Sequence, residues 1–240
     1  MAMWNPWRGC HKCSEGCEFC YIHKGDYKRD IDTNLIVKTK DFSKPVEKNK
    51  KDEYKVKSNQ TVYLCFSTDF LVEDADIWRN ECWEMIKERS DLSFLFLTKR
   101  IDRFKDCLPD DWNDGYDNVI VGCTVENQKN VDYKLDIFSK LPIKHKIIIC
   151  QPLIEKVDIS KYLGGIEEVV VGGEADKNAR VLNYDWVLSI RDQCIKNNVN
   201  FEFRQCGTNF IKDSKEYTLA TRDLMRMARK ANINYISNND

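Results

Sequence analysis

No apolar run in this 240-residue chain approaches the ~20 residues of a helical membrane span, which excludes an integral membrane protein of that kind. The opening stretch, MAMWNPWRGC, lacks a basic segment followed by an apolar one, so no secretory signal is expected. Net charge is scarce as well. At −1 there is no global basic field to draw in nucleic acid. Linkers and internal repeats are absent, and one domain over residues 1–240 is expected, long enough for a sizeable α/β core. With 42% hydrophobic and 32% charged residues, the balance is that of a soluble globular protein.

Cysteine is abundant: there are eleven. An odd number in a chain without a secretory signal argues against a disulfide framework. It points to a reducing compartment, the cytoplasm, with thiols serving as ligands or as small core residues. Four of them crowd into Trp4–Tyr21, WNPWRGCHKCSEGCEFCY, as a loop over residues 10–20. Cys13, Cys17 and Cys20 read C-x3-C-x2-C with Phe19 before the last. Cys10, Cys17 and Cys20 read C-x6-C-x2-C. Three thiolates on a short loop suit a cubic iron–sulfur cluster whose fourth iron stays open. Four closed thiolates would suit a structural zinc. Zinc knuckles of that kind usually lie about 12–20 residues apart, whereas only Ser14, Glu15 and Gly16 separate the pairs here. The cluster is the better fit. The remaining cysteines, Cys65, Cys82, Cys107, Cys123, Cys150, Cys194 and Cys206, mostly fall inside apolar runs and are expected to be buried, so one cluster is expected.

From Thr61 onward, apolar or β-branched runs recur at 61–66, 93–98, 118–124, 146–150, 168–171 and 200–203. Runs without polar alternation fit strands buried on both faces of a parallel sheet. Helical patterns lie between them, at 73–89, 127–141, 154–163 and 184–198, with Asn183 as an N-cap, and 217–231 closes the chain. With a strand before Cys10, the expected fold is α/β: a complete or partial (β/α) barrel of about six or seven parallel strands. In such barrels chemistry sits on loops after the strands. Those loops carry the cysteines, then Ser67 and Asp69, Lys99 and Arg100, Thr124 and Glu126, Gly172, Gly173 and Glu174, and finally Arg204 and Gln205. The Lys-rich insertion at 38–57 holds eight lysines and reads as a solvated surface or as a phosphate-contacting segment.

C-x3-C-x2-C with an aromatic before the final cysteine resembles the signature of the radical S-adenosylmethionine (SAM) enzymes. The wider string WNPWRGC…SEGCEFCY is similar to a phage and bacterial family called the three-cysteine-motif proteins. In that family the ligand trio is the C-x6-C-x2-C set, here Cys10, Cys17 and Cys20; Cys13 remains the alternative to Cys10. The resemblance covers Trp4 to about Gly207. It implies a radical-SAM-type barrel and an enzyme in which a [4Fe–4S] cluster reductively cleaves SAM to a 5′-deoxyadenosyl radical that abstracts hydrogen from substrate. Gly172-Gly173-Glu174 resembles the element that holds the SAM amino group, although it follows a later strand than in most such enzymes. Phe19 would lie against the adenine, with Tyr21 in the same cofactor-binding set. Ser67, Asp69, Thr124 and Glu126 are candidates for ribose or methionyl contacts. Lys99, Arg100, Arg204 and Gln205 are the catalytic candidates, and their charge favours an anionic substrate such as a nucleotide or nucleic acid. Such an enzyme also takes an external one-electron donor of flavodoxin or ferredoxin type. The competing reading is a metal-stapled binding module without catalysis.

Overall fold

Apolar, β-branched runs become strands, and polar stretches become their connections. In the computed structural model, which describes residues 2–238, seven parallel strands make one sheet: β1 Ala2–Trp4, β2 Thr61–Leu64, β3 Ser93–Thr98, β4 Val119–Thr124, β5 His145–Cys150, β6 Glu168–Gly172 and β7 Asn200–Gln205. Their order across the sheet follows the chain, β1 through β7. This is a partial (β/α) barrel. Val169, Val170 and Val171 of β6 are all 0% exposed, as a strand covered on both faces requires. Each such side chain contributes about 1.5–3 kcal/mol when fully buried. Strand β2 stops earlier than its apolar run, because Cys65 takes a left-handed φ of 58°.

The helices follow their expected positions less closely. Segment 73–89 divides into a 3-10 turn, Glu73–Ala75, and α1, Asp76–Glu88. α2 is Tyr184–Lys196, and the Asn183 side chain caps it by accepting from Asp185 N at 2.9 Å. The helical stretch after β4 carries a π segment, Val131–Leu135. Two expected helices need correction. Residues 154–163 form only the 3-10 turn Ser160–Tyr162, since the side chains of Gln128 and Gln193 take the N–H groups of Asp158 and Ile159 at 2.7 Å each. Those N–H groups are thereby withdrawn from a helical ladder. In 217–231 only Leu224–Ala231 (α3) is α-helical. Tyr217 and Thr218 belong to β9, Lys215–Thr218, antiparallel to β8, Asn209–Lys212. The turn residues Asp213 and Ser214 have φ of 51° and 60°, the backbone of a tight hairpin.

The chain packs as two compact units. The first is Met1–Cys13, Ile22–Gly122 and Leu141–His145; the second is Ser14–Tyr21, Cys123–Lys140 and Lys146–Asp240. The first is built on aromatic packing: Trp7 stacks on Phe70 at 5.5 Å, and Phe70 meets Trp83 edge-on at 5.0 Å. The second centres on the valines of β6 and on Phe201 and Phe203 of β7. Among the described residues no helix is long and apolar enough to cross a membrane.

Candidate functional site

In the first unit the flanks of the cysteine loop are fixed by buried tryptophans. Trp4 and Trp7 are fully buried, and their indole N–H groups donate to Phe42 O at 3.0 Å and Asp69 O at 3.2 Å. Asn5 Oδ1 accepts from Ser67 N at 3.1 Å, and Thr68 Oγ1 donates to Gly9 O. Gly9 has φ +94° and a Cβ there would lie 2.6 Å from Leu35 O, so only glycine fits. These bonds bring Cys10 beside Arg100. Arg100 Nη2 donates to His11 O at 2.8 Å, and its Nη1 is 3.9 Å from Cys10 Sγ and 3.3 Å from Asp69 Oδ2. Asp69 also accepts from Leu71 N and Thr98 Oγ1 at 2.9 Å each and from Lys99 N at 3.2 Å. Burial disfavours the Arg100 charge, but Asp69 with Cys13, Cys10 and Glu73 outweighs it and holds the guanidinium above its usual range. Cys10 is half-buried and Cys13 exposed.

In the second unit Ser14 Oγ donates to Glu126 Oε1 at 2.5 Å and lies 3.6 Å from Cys17 Sγ. Glu126 is 0% exposed, yet it accepts from Asn130 Nδ2 at 2.9 Å and pairs with Lys134 Nζ at 3.5 Å. Lys134 lies on the π segment and also donates to Thr124 O at 3.4 Å, so the irregular turn delivers a buried cation to a buried carboxylate. Gly16 is required for that approach, since a Cβ would stand 2.6 Å from Glu126 Cγ. Asn127 Nδ2 donates to Glu15. Arg180 Nη2 donates to Glu15 O at 2.9 Å, its guanidinium lies 5.6 Å from the centre of the half-buried Phe19 ring, and Glu174 receives its Nη2 and Nε. The ring of Tyr21 is exposed.

The glycine pair beside Glu174 serves close packing of backbone. A Cβ on Gly173 would stand 2.4 Å from Gly207 Cα, and one on Gly172 would meet the Gln151 side chain at 2.8 Å. Gln205 Nε2 donates to Gly173 O at 2.7 Å. Arg204 falls in a register shift between β7 and β6 and pairs with Glu202 at 2.6 Å. Nearby, Thr208 N donates to Glu174 O at 2.9 Å, while Thr208 Oγ1 is buried with no hydrogen-bond partner among the described residues. A ligand's polar group would satisfy that hydroxyl.

One family model, described as a protein of unknown function (DUF5131), matches residues 1–234. The chain belongs to the DUF5131 family. No curated protein and no solved structure matches it.

In this DUF5131 protein, no three His, Cys, Asp or Glu side chains among the described residues stand together as a ready metal-ligating group. The donor chemistry fits a cluster nonetheless: four soft thiols lie within eleven consecutive residues, with a guanidinium at Cys10. The seven other cysteines are buried as expected. Burial pushes the Cys206 thiol up to about 11 and Cys194 up to about 12, which keeps them protonated at neutral pH. Sequence reasoning missed Arg180 and Lys134. Neither lies in a motif; an arginine six residues after a motif glutamate is the only signal Arg180 leaves. In the Lys-rich insertion half of the eight lysines are paired: Lys38, Lys48, Lys55 and Lys57 with Glu81, Asp52, Glu47 and Glu53. Fully buried Arg89 pins it further, donating to the carbonyls of Pro45 and Val56.

Proposed function

We propose that this protein is a radical SAM enzyme whose cluster ligands are Cys10, Cys17 and Cys20, with Cys13 as the alternative to Cys10. The observation that carries this reading is the cysteine loop itself, three thiols at C-x6-C-x2-C on a segment held at carbonyls of both of its halves by arginines. All four cysteines fall within eleven consecutive residues, so the chain itself keeps them within reach of one small group. When bound, a [4Fe–4S] cluster with one open iron supplies the electron that cleaves SAM to methionine and a 5′-deoxyadenosyl radical, which takes hydrogen from substrate.

The protein's own residues do the rest. Arg100 stands beside the Cys10 sulfur and orients His11. Arg180, Ser14 and Glu126 orient the Glu15–Cys20 half, and Phe19 offers an apolar face to the adenine. Glu174 acts through Arg180, and Thr208 gives its hydroxyl to the cofactor's polar end. Lys99 supplies positive charge for an anionic substrate, a nucleotide or nucleic acid, while Arg204 is taken up by Glu202 and a flavodoxin- or ferredoxin-type donor supplies the electron. The test is anaerobic reconstitution, reduction with dithionite in the presence of SAM, and measurement of 5′-deoxyadenosine. Formation by the wild type and loss in Cys17→Ala supports the reading. No product from an iron-loaded protein sinks it.

A second reading is favoured by one observation: the loop carries four cysteines, Cys10, Cys13, Cys17 and Cys20, the number that closes a tetrahedral structural site with no open position. A metal-stapled binding module would then bind zinc or a cluster without SAM turnover, and Cys17→Ala would lower stability rather than abolish a reaction.

A further inference from the structure

Half of the eight lysines at residues 38–57, namely Lys38, Lys48, Lys55 and Lys57, are held in ion pairs. A second basic stretch, at residues 212–230, has fewer. It holds six Lys or Arg against three Asp or Glu. Arg226 pairs with Asp223 at 2.9 Å, whereas Lys212, Lys215, Arg229 and Lys230 make no ion pair among the described residues. All four are exposed, on β8, β9 and α3 of the second unit.

Two of these cations, Lys212 and Lys230, line a cleft of about 260 Å³ together with Tyr184, Phe203, Phe210 and Tyr217, and no carboxylate stands in its wall. Tyr184 lies 6.2 Å from Phe203 and 5.9 Å from Phe210, centre to centre, and Lys212 Nζ stands 4.9 Å from the Tyr184 ring centre. Tyr217 is different. It is 43% exposed, and among the described residues its ring touches no other ring and its hydroxyl makes no hydrogen bond. Its strand, β9, is exposed at every residue and exists only as the outer arm of the 209–218 hairpin.

We propose that this cleft takes an unpaired base of single-stranded nucleic acid, stacked on Tyr217, with the flanking phosphates on Lys212 and Lys230. An aromatic platform beside unpaired cations is the combination by which single strands are bound without sequence readout. A purely apolar partner would leave the lysines unanswered, and a duplex keeps its bases stacked away from the tyrosine. The surface lies outside the cysteine loop and needs no cofactor, so it stands whether or not the cluster reading holds.

The experiment is fluorescence anisotropy of the full chain, without added metal, against a labelled oligodeoxythymidine of about 12 nucleotides, a site size typical of such grooves. The same measurement on a duplex of equal length, across a salt series, completes the set. The single strand is expected to bind more tightly than the duplex. Tyr217→Ala should weaken it about tenfold with the salt slope unchanged, and Tyr217→Phe should restore it. Lys212→Gln with Lys230→Gln should flatten the slope by about 1.4, two cations at roughly 0.7 each. Neutralising Lys48, Lys50 and Lys51 should change neither. The proposal is overturned by absence of oligonucleotide binding, by equal affinity for duplex, by an unaffected Tyr217→Ala, or by binding only to anionic lipid vesicles.

Discussion

The two halves of the cysteine loop are held by the same device in different surroundings. Arg100, anchored by Asp69, donates to His11 O in the first unit; Arg180, anchored by Glu174, donates to Glu15 O in the second. The first pair is closed off, with side chains 6% and 7% exposed, and its guanidinium faces a cysteine. In the second, the arginine is 29% exposed and faces an aromatic ring instead. The Asp69–Arg100 pair sets a guanidinium beside the Cys10 sulfur, while the Glu174–Arg180 pair positions backbone and ring. Both carboxylates come from loops that follow strands, where barrel enzymes keep their chemistry.

Asp69→Asn should have the larger effect on stability. It leaves a buried guanidinium with only the half-exposed Glu73, at 3.4 Å, as counter-charge, a cost of about 3–5 kcal/mol, read as a fall in the urea midpoint. Glu174→Gln keeps a hydrogen-bond acceptor beside an arginine that water can reach, so a loss of about 1–3 kcal/mol is expected on the same scale. Equal losses in the two variants would break the comparison. A third pair, Arg89–Asp91 in the first unit, serves as a control remote from the cysteines. The hydrogen-bonded Arg89 guanidinium holds the Asp91 carboxyl down at about 2. Because the folded value lies below the unfolded carboxyl value of about 3.9, its stabilisation is complete above about pH 4 and is lost as pH falls toward about 2. The stability difference between wild type and Asp91→Asn should therefore be full and constant above about pH 4, and should shrink only as pH falls through that window. The smallest effect belongs to the exposed Lys55–Glu47 pair, where Lys55→Ala should cost no more than about 1 kcal/mol. A larger loss would mean that exposed pairs hold the Lys-rich insertion in place.

The sheet was legible because its strands are apolar on both faces: the run at 93–98 reappears unchanged as β3, and those at 146–150 and 168–171 differ by one residue at an end. The hairpin at 209–218 was not, since β9 buries none of its residues and so shows no alternation, and its turn uses Asp213-Ser214 in place of the usual glycine. The 154–163 stretch misled for the opposite reason, its apolar spacing being helical while distant glutamine side chains claimed its backbone. Of the candidate site, the carboxylates Asp69, Glu126 and Glu174 were legible by position after a strand. Their partners Arg100, Lys134 and Arg180 are reached through folded geometry, and only the first sits in a stretch that the strand pattern marks. The tryptophans of WNPW explain themselves once buried: each spends its indole N–H on a carbonyl and fixes the approach to Cys10.

The most direct measurement is iron and acid-labile sulfide per chain after anaerobic reconstitution, in the wild type and in Cys10→Ala, Cys13→Ala and Cys17→Ala. About four of each in the wild type is expected, retained in Cys13→Ala and lost in the other two with the far-UV spectrum unchanged. Stoichiometric zinc without iron, or iron that survives Cys17→Ala, would contradict the account.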